Sequence, residues 1–99
     1  MPETARTRTV VVTDPIGFHA RIAVDVAKVV RGSKSEVTLT KDERQASGTD
    51  VLQMLALYVP PGESVVLEAL GPDADAVLDA LVPLFADKSG DEDEGQKSA

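Results

Sequence analysis

Three segments of the chain carry the hydrophobic patterns of β-strands, and a fourth is expected to be a strand from its position. Residues 9–13 are β-branched throughout, and residues 35–40 and 64–70 alternate between apolar and polar side chains. Residues 44–47 follow a charged turn, and we expect a short return strand there despite their weak apolar content. Half-polar strands of this kind are typical of an antiparallel sheet with one face buried and one face in water.

Three other segments repeat apolar residues at helical spacing. The pattern predicts a first helix over residues 20–31, followed by Gly32 as a C′ residue. A short second helix begins after Asp50, a preferred N-cap type, and ends near Tyr58. The third helix follows a Gly-Pro-Asp turn, and Pro83 interrupts its pattern, so we expect an irregular end. The order of elements predicts an α+β two-layer sandwich.

The only histidine, His19, lies where a turn-like run meets the first predicted helix. The first N–H groups of a helix lack partners inside it, and the helix dipole makes this end positive. An anion carried on His19 would therefore meet the backbone N–H groups of Ala20 and Arg21, and the Arg21 guanidinium. The same positive end favours a neutral, nucleophilic ring over an imidazolium ion. These conditions suit a histidine that accepts a phosphoryl group and transfers it.

The sequence offers little support for other kinds of site. One histidine and no cysteine argue against a metal site. No glycine-rich phosphate loop is present, so we expect neither ATP binding nor a cofactor. A Ser-His-Asp hydrolase needs a pocket and an oxyanion hole, which a small two-layer domain rarely supplies. Asp14, Asp25 and Asp50 are candidate partners for His19, but each is interpreted first as a surface acid.

Length and charge limit the classes of partner. The 99 residues make one domain, and a net charge of −7 argues against nucleic acid, which requires a basic surface. No apolar run approaches the ~18 residues of a membrane span. We therefore expect a soluble, cytoplasmic protein without membrane insertion. Residues 88–99 combine acids with Gly, Ser and Gln, a composition that predicts a disordered acidic tail.

The segment Gly17-Phe18-His19-Ala20-Arg21-Ile22-Ala23 resembles the phosphorylation-site motif of the HPr family, the histidine phosphocarrier proteins of the bacterial phosphotransferase system. That motif usually reads Gly-Leu-His-Ala-Arg-Pro-Ala and lies between a first strand and a first helix. The resemblance extends over most of the chain, which makes residues 1–87 the phosphocarrier domain. It implies an open-faced sandwich in which three helices cover a four-stranded antiparallel sheet (βαββαβα).

This resemblance implies a stoichiometric carrier rather than an enzyme. His19 would accept a phosphoryl group derived from phosphoenolpyruvate from Enzyme I and pass it to sugar-specific IIA domains. Arg21 and the backbone of Ala20 and Arg21 would hold the phosphate. We expect the carrier to be a monomer.

Docking such partners requires an apolar patch near His19. The short second helix cannot bury all of its apolar residues on one stripe, so some must face outward. Met54 and Leu57 are predicted to be core residues. By resemblance, the partner-binding residues are Phe18, Val51, Leu52 and Leu55.

Three positions depart from the family pattern. Ile22 replaces the motif proline and is expected to add a bulky apolar group beside Arg21. Ile16 stands where many members carry a small polar residue. Asp50 stands where Gram-positive members carry a regulatory serine, so its charge is expected to act as a permanent restraint on docking. These departures leave an alternative open, namely a regulatory binding module with slow or no phosphorylation of His19.

Overall fold

The computed structural model describes residues 4–86. Its four strands form one antiparallel sheet in the order β1-β4-β2-β3. The strands are β1 (Arg6–Val11), β2 (Glu36–Lys41), β3 (Arg44–Ser47) and β4 (Ser64–Leu70). The helices are α1 (Ala20–Arg31), α2 (Val51–Ala56) and α3 (Ala74–Leu81), and a 3-10 helix, Val82–Phe85, follows α3. This arrangement confirms the predicted open-faced sandwich. The predicted tail, residues 88–99, lies outside the described residues.

The core lies between the sheet and the helical layer. β4 alternates as its sequence predicts, with Val65, Leu67 and Ala69 buried and the residues between them exposed. α1 buries one stripe, which consists of Ile22, Ala23, Val26, Ala27 and Val30. Burial of a large apolar side chain is worth about 1.5–3 kcal/mol, so this stripe fixes the orientation of α1 on the sheet. Among residues 4–86, no helix is long and apolar enough to cross a membrane.

β1 differs from its prediction, which placed the strand at residues 9–13. The strand begins earlier, at Arg6–Val11, where it pairs with β4 along its whole length. Its polar residue Arg8 reaches α3, with one guanidinium nitrogen 3.2 Å from Asp79 and 3.7 Å from Asp75. Hydrophobic patterning misses this end of the strand because ion pairs, rather than apolar contacts, join it to the helix.

Three helix ends differ in detail from expectation. Gly32 is the C-cap of α1 with a right-handed φ of −82°, rather than a left-handed C′ residue. α2 ends at Ala56, before the predicted end at Tyr58, because Tyr58 takes a φ of +53° that no right-handed helix accommodates. α3 stops at Leu81, and the chain tightens into the 3-10 helix that contains Pro83. The predicted irregular end is thus confirmed.

Candidate functional site

His19 is the N-cap residue of α1, as its position in the sequence predicts. Its backbone is extended (φ −126°, ψ −179°), and its carbonyl accepts a 3.0 Å hydrogen bond from Ala23 N–H. The imidazole does not cap the helix. The ring is therefore available for chemistry, and the first helical N–H groups, those of Ala20 and Arg21, have no cap from His19.

A tight turn over residues 14–17 holds His19 in place. The Asp14 carbonyl accepts from Gly17 N–H at 2.9 Å, and Asp14 Oδ1 accepts from Ile16 N–H at 2.9 Å. Gly17 has a φ of +89°, and a Cβ there would lie 2.7 Å from the Val59 carbonyl oxygen. Phe18 N–H donates to the same carbonyl at 2.9 Å. Glycine is required because the turn packs directly on the segment after α2.

Asp14 lies between His19 and Arg21. Its side chain is the one buried polar or charged group in the part of the chain that the structure describes, with 5% of the residue exposed. Asp14 Oδ2 accepts from Arg21 Nη2 at 3.2 Å and lies 3.5 Å from His19 Nε2. The interpretation of Asp14 as a surface acid is wrong, because the turn buries its carboxylate 3.5 Å from His19 Nε2.

The other two candidate acids do not join this group. Asp25 makes no hydrogen bond or ion pair with any residue in the range 4–86. Asp50 instead caps α2, where its side chain accepts from Gln53 N–H. The structure therefore brings one of the three candidate carboxylates to His19.

The His19 ring is oriented by its surroundings. Its side chain is 23% exposed, and Nε2 is buried against Asp14 without hydrogen-bond geometry. Nδ1 is not enclosed in this way. The Arg21 side chain is 51% exposed, so its guanidinium is accessible from solvent. The arrangement presents a partly exposed imidazole ring, a guanidinium and a helix N-terminus together.

Phe18 does not belong to the surface. It is 7% exposed, and its ring centroid lies 5.4 Å from that of Phe85 at an interplanar angle of 44°. The prediction that Phe18 contacts partners directly is wrong, because the 3-10 helix after α3 covers the ring. Phe18 instead packs against Phe85 in the core, directly before His19 in the chain.

The prediction for Ile22 also needs correction. Ile22 is fully buried in the core rather than placed beside Arg21. As the third residue of α1 it lies on the inward stripe of the helix, whereas Arg21 faces out. Ile22 therefore stabilises the packing of α1 and does not shape the surface around the guanidinium.

The short helix α2 divides its apolar residues between core and surface. Met54 and Leu57 are buried, as predicted, at 0% and 2% exposure. Leu52 is 78% exposed, whereas Val51 and Leu55 are partly buried against the core. Leu52 is thus the member of the predicted docking patch that projects fully into solvent.

Two further exposed side chains lie on the segments that meet at the site. Ile16 belongs to the His19 turn and is 73% exposed. Tyr58 precedes the Val59 carbonyl on which this turn packs, and it is 71% exposed. Sequence reasoning noted Ile16 only as a departure from the motif and Tyr58 only as a helix end. A large apolar side chain at a predicted turn or helix end, where exposure is expected, was the sequence signal that could have marked both residues as exposed apolar surface.

Known proteins are similar to this chain in both sequence and fold. A family model described as "PTS HPr component phosphorylation site" matches residues 6–87. Phosphocarrier protein NPr of Shewanella violacea is 36% identical over 77 residues, which cover 78% of this chain and 85% of that protein. Phosphocarrier protein HPr of Cupriavidus necator is 27% identical over 84 residues, which cover 85% of this chain and 94% of that protein.

Solved structures share the fold of this chain. The fold matches phosphocarrier protein HPr from Bacillus anthracis with a TM-score of 0.77 at 20% identity, over 83% of this chain and 98% of that one. It matches HPr from Thermoanaerobacter tengcongensis with a TM-score of 0.75 at 26% identity, over 81% of this chain and 90% of that one. Since the family model covers nearly all of the described residues, the chain belongs to the HPr family of phosphocarrier proteins of the phosphotransferase system.

Proposed function

We propose that this protein carries a phosphoryl group on His19, which it accepts from Enzyme I and passes to IIA domains. The observation that carries the proposal is the N-capping histidine whose ring is not used as a cap and lies beside the Arg21 guanidinium. The uncapped N–H groups of Ala20 and Arg21 add donors for phosphate oxygens. No group in this arrangement is needed to bind a nucleotide, since the phosphoryl group arrives on another protein.

The proposed acceptor atom is Nδ1 of His19. Its lone pair forms a bond to phosphorus while the bond from phosphorus to the donor's leaving atom breaks, and that electron pair stays with the donor. The three phosphate oxygens then face the positive end of α1 and the Arg21 guanidinium. Transfer to the acceptor protein reverses these steps.

The partner surface of this proposal is carried by side chains around the site. Leu52 projects from α2, and Val51 and Leu55 support it from partly buried positions. Ile16 in the His19 turn and Tyr58 after α2 are also exposed and add apolar surface to this proposal. Exposed apolar patches of this kind are a usual mark of protein docking.

The experiment is incubation of the protein with Enzyme I and phosphoenolpyruvate, followed by intact mass measurement. We expect a gain of one phosphoryl group that is acid-labile and base-stable, as a phosphoramidate is, and no gain in His19→Ala. A phosphoryl group that persists in His19→Ala would contradict the proposal.

A second candidate function is a regulatory binding module with the carrier fold. One observation favours it: positions 16, 22 and 50 depart from the family pattern. The same incubation separates the candidates, because a regulatory module would remain largely unphosphorylated while still binding its partners.

A further inference from the structure

We propose that Asp14 is a positioning residue for phosphoryl transfer. Its carboxylate keeps a proton on Nε2 of His19, which leaves the lone pair on Nδ1 free to attack phosphorus. The inference rests on the proposed function and extends it to a residue outside the Gly17–Ala23 motif.

The first observation is the burial of the carboxylate. A buried charge is costly unless hydrogen bonds and opposite charges compensate it. Asp14 Oδ1 is occupied by Ile16 N–H at 2.9 Å. Asp14 Oδ2 faces Arg21 Nη2 at 3.2 Å and His19 Nε2 at 3.5 Å. Both carboxylate oxygens of Asp14 thus face nitrogen atoms. Each of these contacts is favourable only if the nitrogen carries a hydrogen that it can donate.

The second observation is the burial of His19 Nε2. Within residues 4–86, it is the single buried side-chain nitrogen or oxygen without a hydrogen bond. An Nε2 lone pair would repel Asp14 Oδ2, whereas an Nε2–H would be attracted to it and would satisfy the buried atom. Hydrogen bonds of this kind are often long in the free protein and tighten in the reactive complex. The neutral ring therefore carries its proton on Nε2.

The same contact supports the transfer step. When Nδ1 forms its bond to phosphorus and the donor leaves with the electron pair of the broken bond, Nε2 keeps its proton. The ring then carries a positive charge, and the adjacent Asp14 carboxylate offsets that charge. In serine proteases a buried aspartate acts on its histidine by the same physical principle, since it fixes the tautomer and stabilises the charged ring.

The variant Asp14→Asn distinguishes this role from a structural one. Its amide oxygen can replace Oδ1 as the acceptor for Ile16 N–H and preserve the turn. Its NH₂ group then faces His19 Nε2, where it donates to the ring lone pair and places the proton on Nδ1. Asp14→Ala removes the carboxylate without imposing this tautomer. We expect phosphorylation to be slowest in Asp14→Asn, by about tenfold or more relative to wild type, and intermediate in Asp14→Ala.

Two measurements are made on each protein. The ¹⁵N chemical shifts of the His19 ring nitrogens report the tautomer of the unphosphorylated protein, and rapid-quench mass spectrometry reports the rate of phosphorylation by Enzyme I and phosphoenolpyruvate. Thermal unfolding shows whether each variant folds. Asp25→Asn is the matched control, because it removes the same charge from a position on α1 that makes no contact with His19. We expect it to keep the wild-type tautomer and rate.

The outcomes are distinct. An Nε2–H tautomer in wild type, an Nδ1–H tautomer in Asp14→Asn and the order of rates given above confirm the inference. A wild-type Nδ1–H tautomer, or slower phosphorylation of Asp14→Ala than of Asp14→Asn, overturns the inference and leaves Asp14 with a structural role in the turn only. A wild-type protein that Enzyme I leaves unphosphorylated overturns the proposed function and this inference together, whereas failure of the Asp14 variants alone leaves the proposed function standing.

Discussion

At the scale of single residues, Arg21 is tied to the protein by one contact. Its Nη2 donates to Asp14 Oδ2 at 3.2 Å, and half of its side chain is exposed. A guanidinium has five N–H donors in a planar fork, and within residues 4–86 Arg21 makes no second side-chain hydrogen bond. The unused donors are therefore available for phosphate oxygens on His19.

We predict that Arg21→Ala slows phosphorylation of His19 by about tenfold or more, because charge-assisted hydrogen bonds are worth about 1.5–3 kcal/mol. The fold should stay intact, but the melting temperature should fall somewhat, because the buried Asp14 carboxylate loses its guanidinium partner. Rapid-quench kinetics with Enzyme I checks the rate. Lys28→Ala removes an equal charge from an exposed position of α1 and serves as the control. Equal rates in Arg21→Ala and wild type would make Arg21 a surface residue only.

At the scale of elements, two hydrogen bonds hold the start of α2 in place. Asp50 Oδ1 accepts from Gln53 N–H at 3.0 Å, which confirms Asp50 as the N-cap. Gln53 Oε1 in turn accepts from Ser47 N–H at 2.9 Å and joins the helix to the end of β3. The charge of Asp50 is thus held next to Val51 and Leu52, on the proposed partner surface.

We predict that Asp50→Ser leaves stability almost unchanged and speeds phosphorylation of His19 at low salt. Serine is a comparable cap, and its introduction removes the negative charge of Asp50 from the proposed partner surface. The gain should shrink as salt screens the charge. Rates measured over a series of ionic strengths check this.

Asp50→Ala provides the stability control. It removes the cap as well as the charge, so it should lower the free energy of unfolding by about 1 kcal/mol. If Asp50→Ser and wild type are phosphorylated equally fast at low ionic strength, Asp50 is a cap without a regulatory effect.

The start of α3 is attached to the turn before β2 through Asp73. The Asp73 carboxylate accepts from the Ser35 hydroxyl and from Lys34 N–H, the latter at 2.9 Å, instead of capping its own helix. Gly71 permits this close approach, because a Cβ there would lie 2.6 Å from Ser35 Cα. The hydrogen bond from Ser35, followed by that from Lys34, lowers the pKa of Asp73 below its ordinary value.

We predict that Asp73→Asn lowers the melting temperature at pH 7 and that the difference from wild type shrinks towards pH 3. Because the folded state lowers the pKa of Asp73, its carboxylate stabilises the fold above the ordinary aspartate value of about 4. That contribution is lost as the pH falls through the lowered pKa. Thermal unfolding across this range checks the prediction, and Ser35→Ala should show the same trend. A difference that stays constant with pH would contradict it.

At the scale of the whole molecule, distant segments meet to build the site. The turn before α1 packs on the segment after α2, and Thr13 N–H donates to the Phe85 carbonyl at 3.1 Å. Phe85 also covers the Phe18 ring directly before His19. The site is therefore supported by the segment after α2 and by the 3-10 helix, and loss of the 3-10 helix would loosen it.

We predict that deletion of residues 89–99 leaves both the melting temperature and the phosphorylation rate nearly unchanged. These residues contain one apolar side chain, that of Ala99, so they offer little surface to bury against the domain. Thermal unfolding and the Enzyme I assay check this on the truncated chain. A loss of several degrees would mean that the tail packs on the domain.

Local patterns in the sequence determined most of the fold. The periods of 2.0 and 3.6 predicted most of the elements that the structure shows, because side-chain direction repeats with backbone geometry. The weak strand β3 was expected from the charged turn before it rather than from its own pattern. His19 at the start of α1, Asp50 as a cap and the interruption at Pro83 were also predictable. Each depends on the conformational preferences of a few neighbouring residues.

Tertiary structure alone decided which side chains around His19 are buried. Asp14 was interpreted as a surface acid and Phe18 was assigned to the partner surface by resemblance, yet both are buried. Their burial depends on Phe85 and on the segment that contains Val59, which are far away in sequence. Burial is a property of what packs against a residue, and no local pattern encodes a neighbour that the chain brings from its other end.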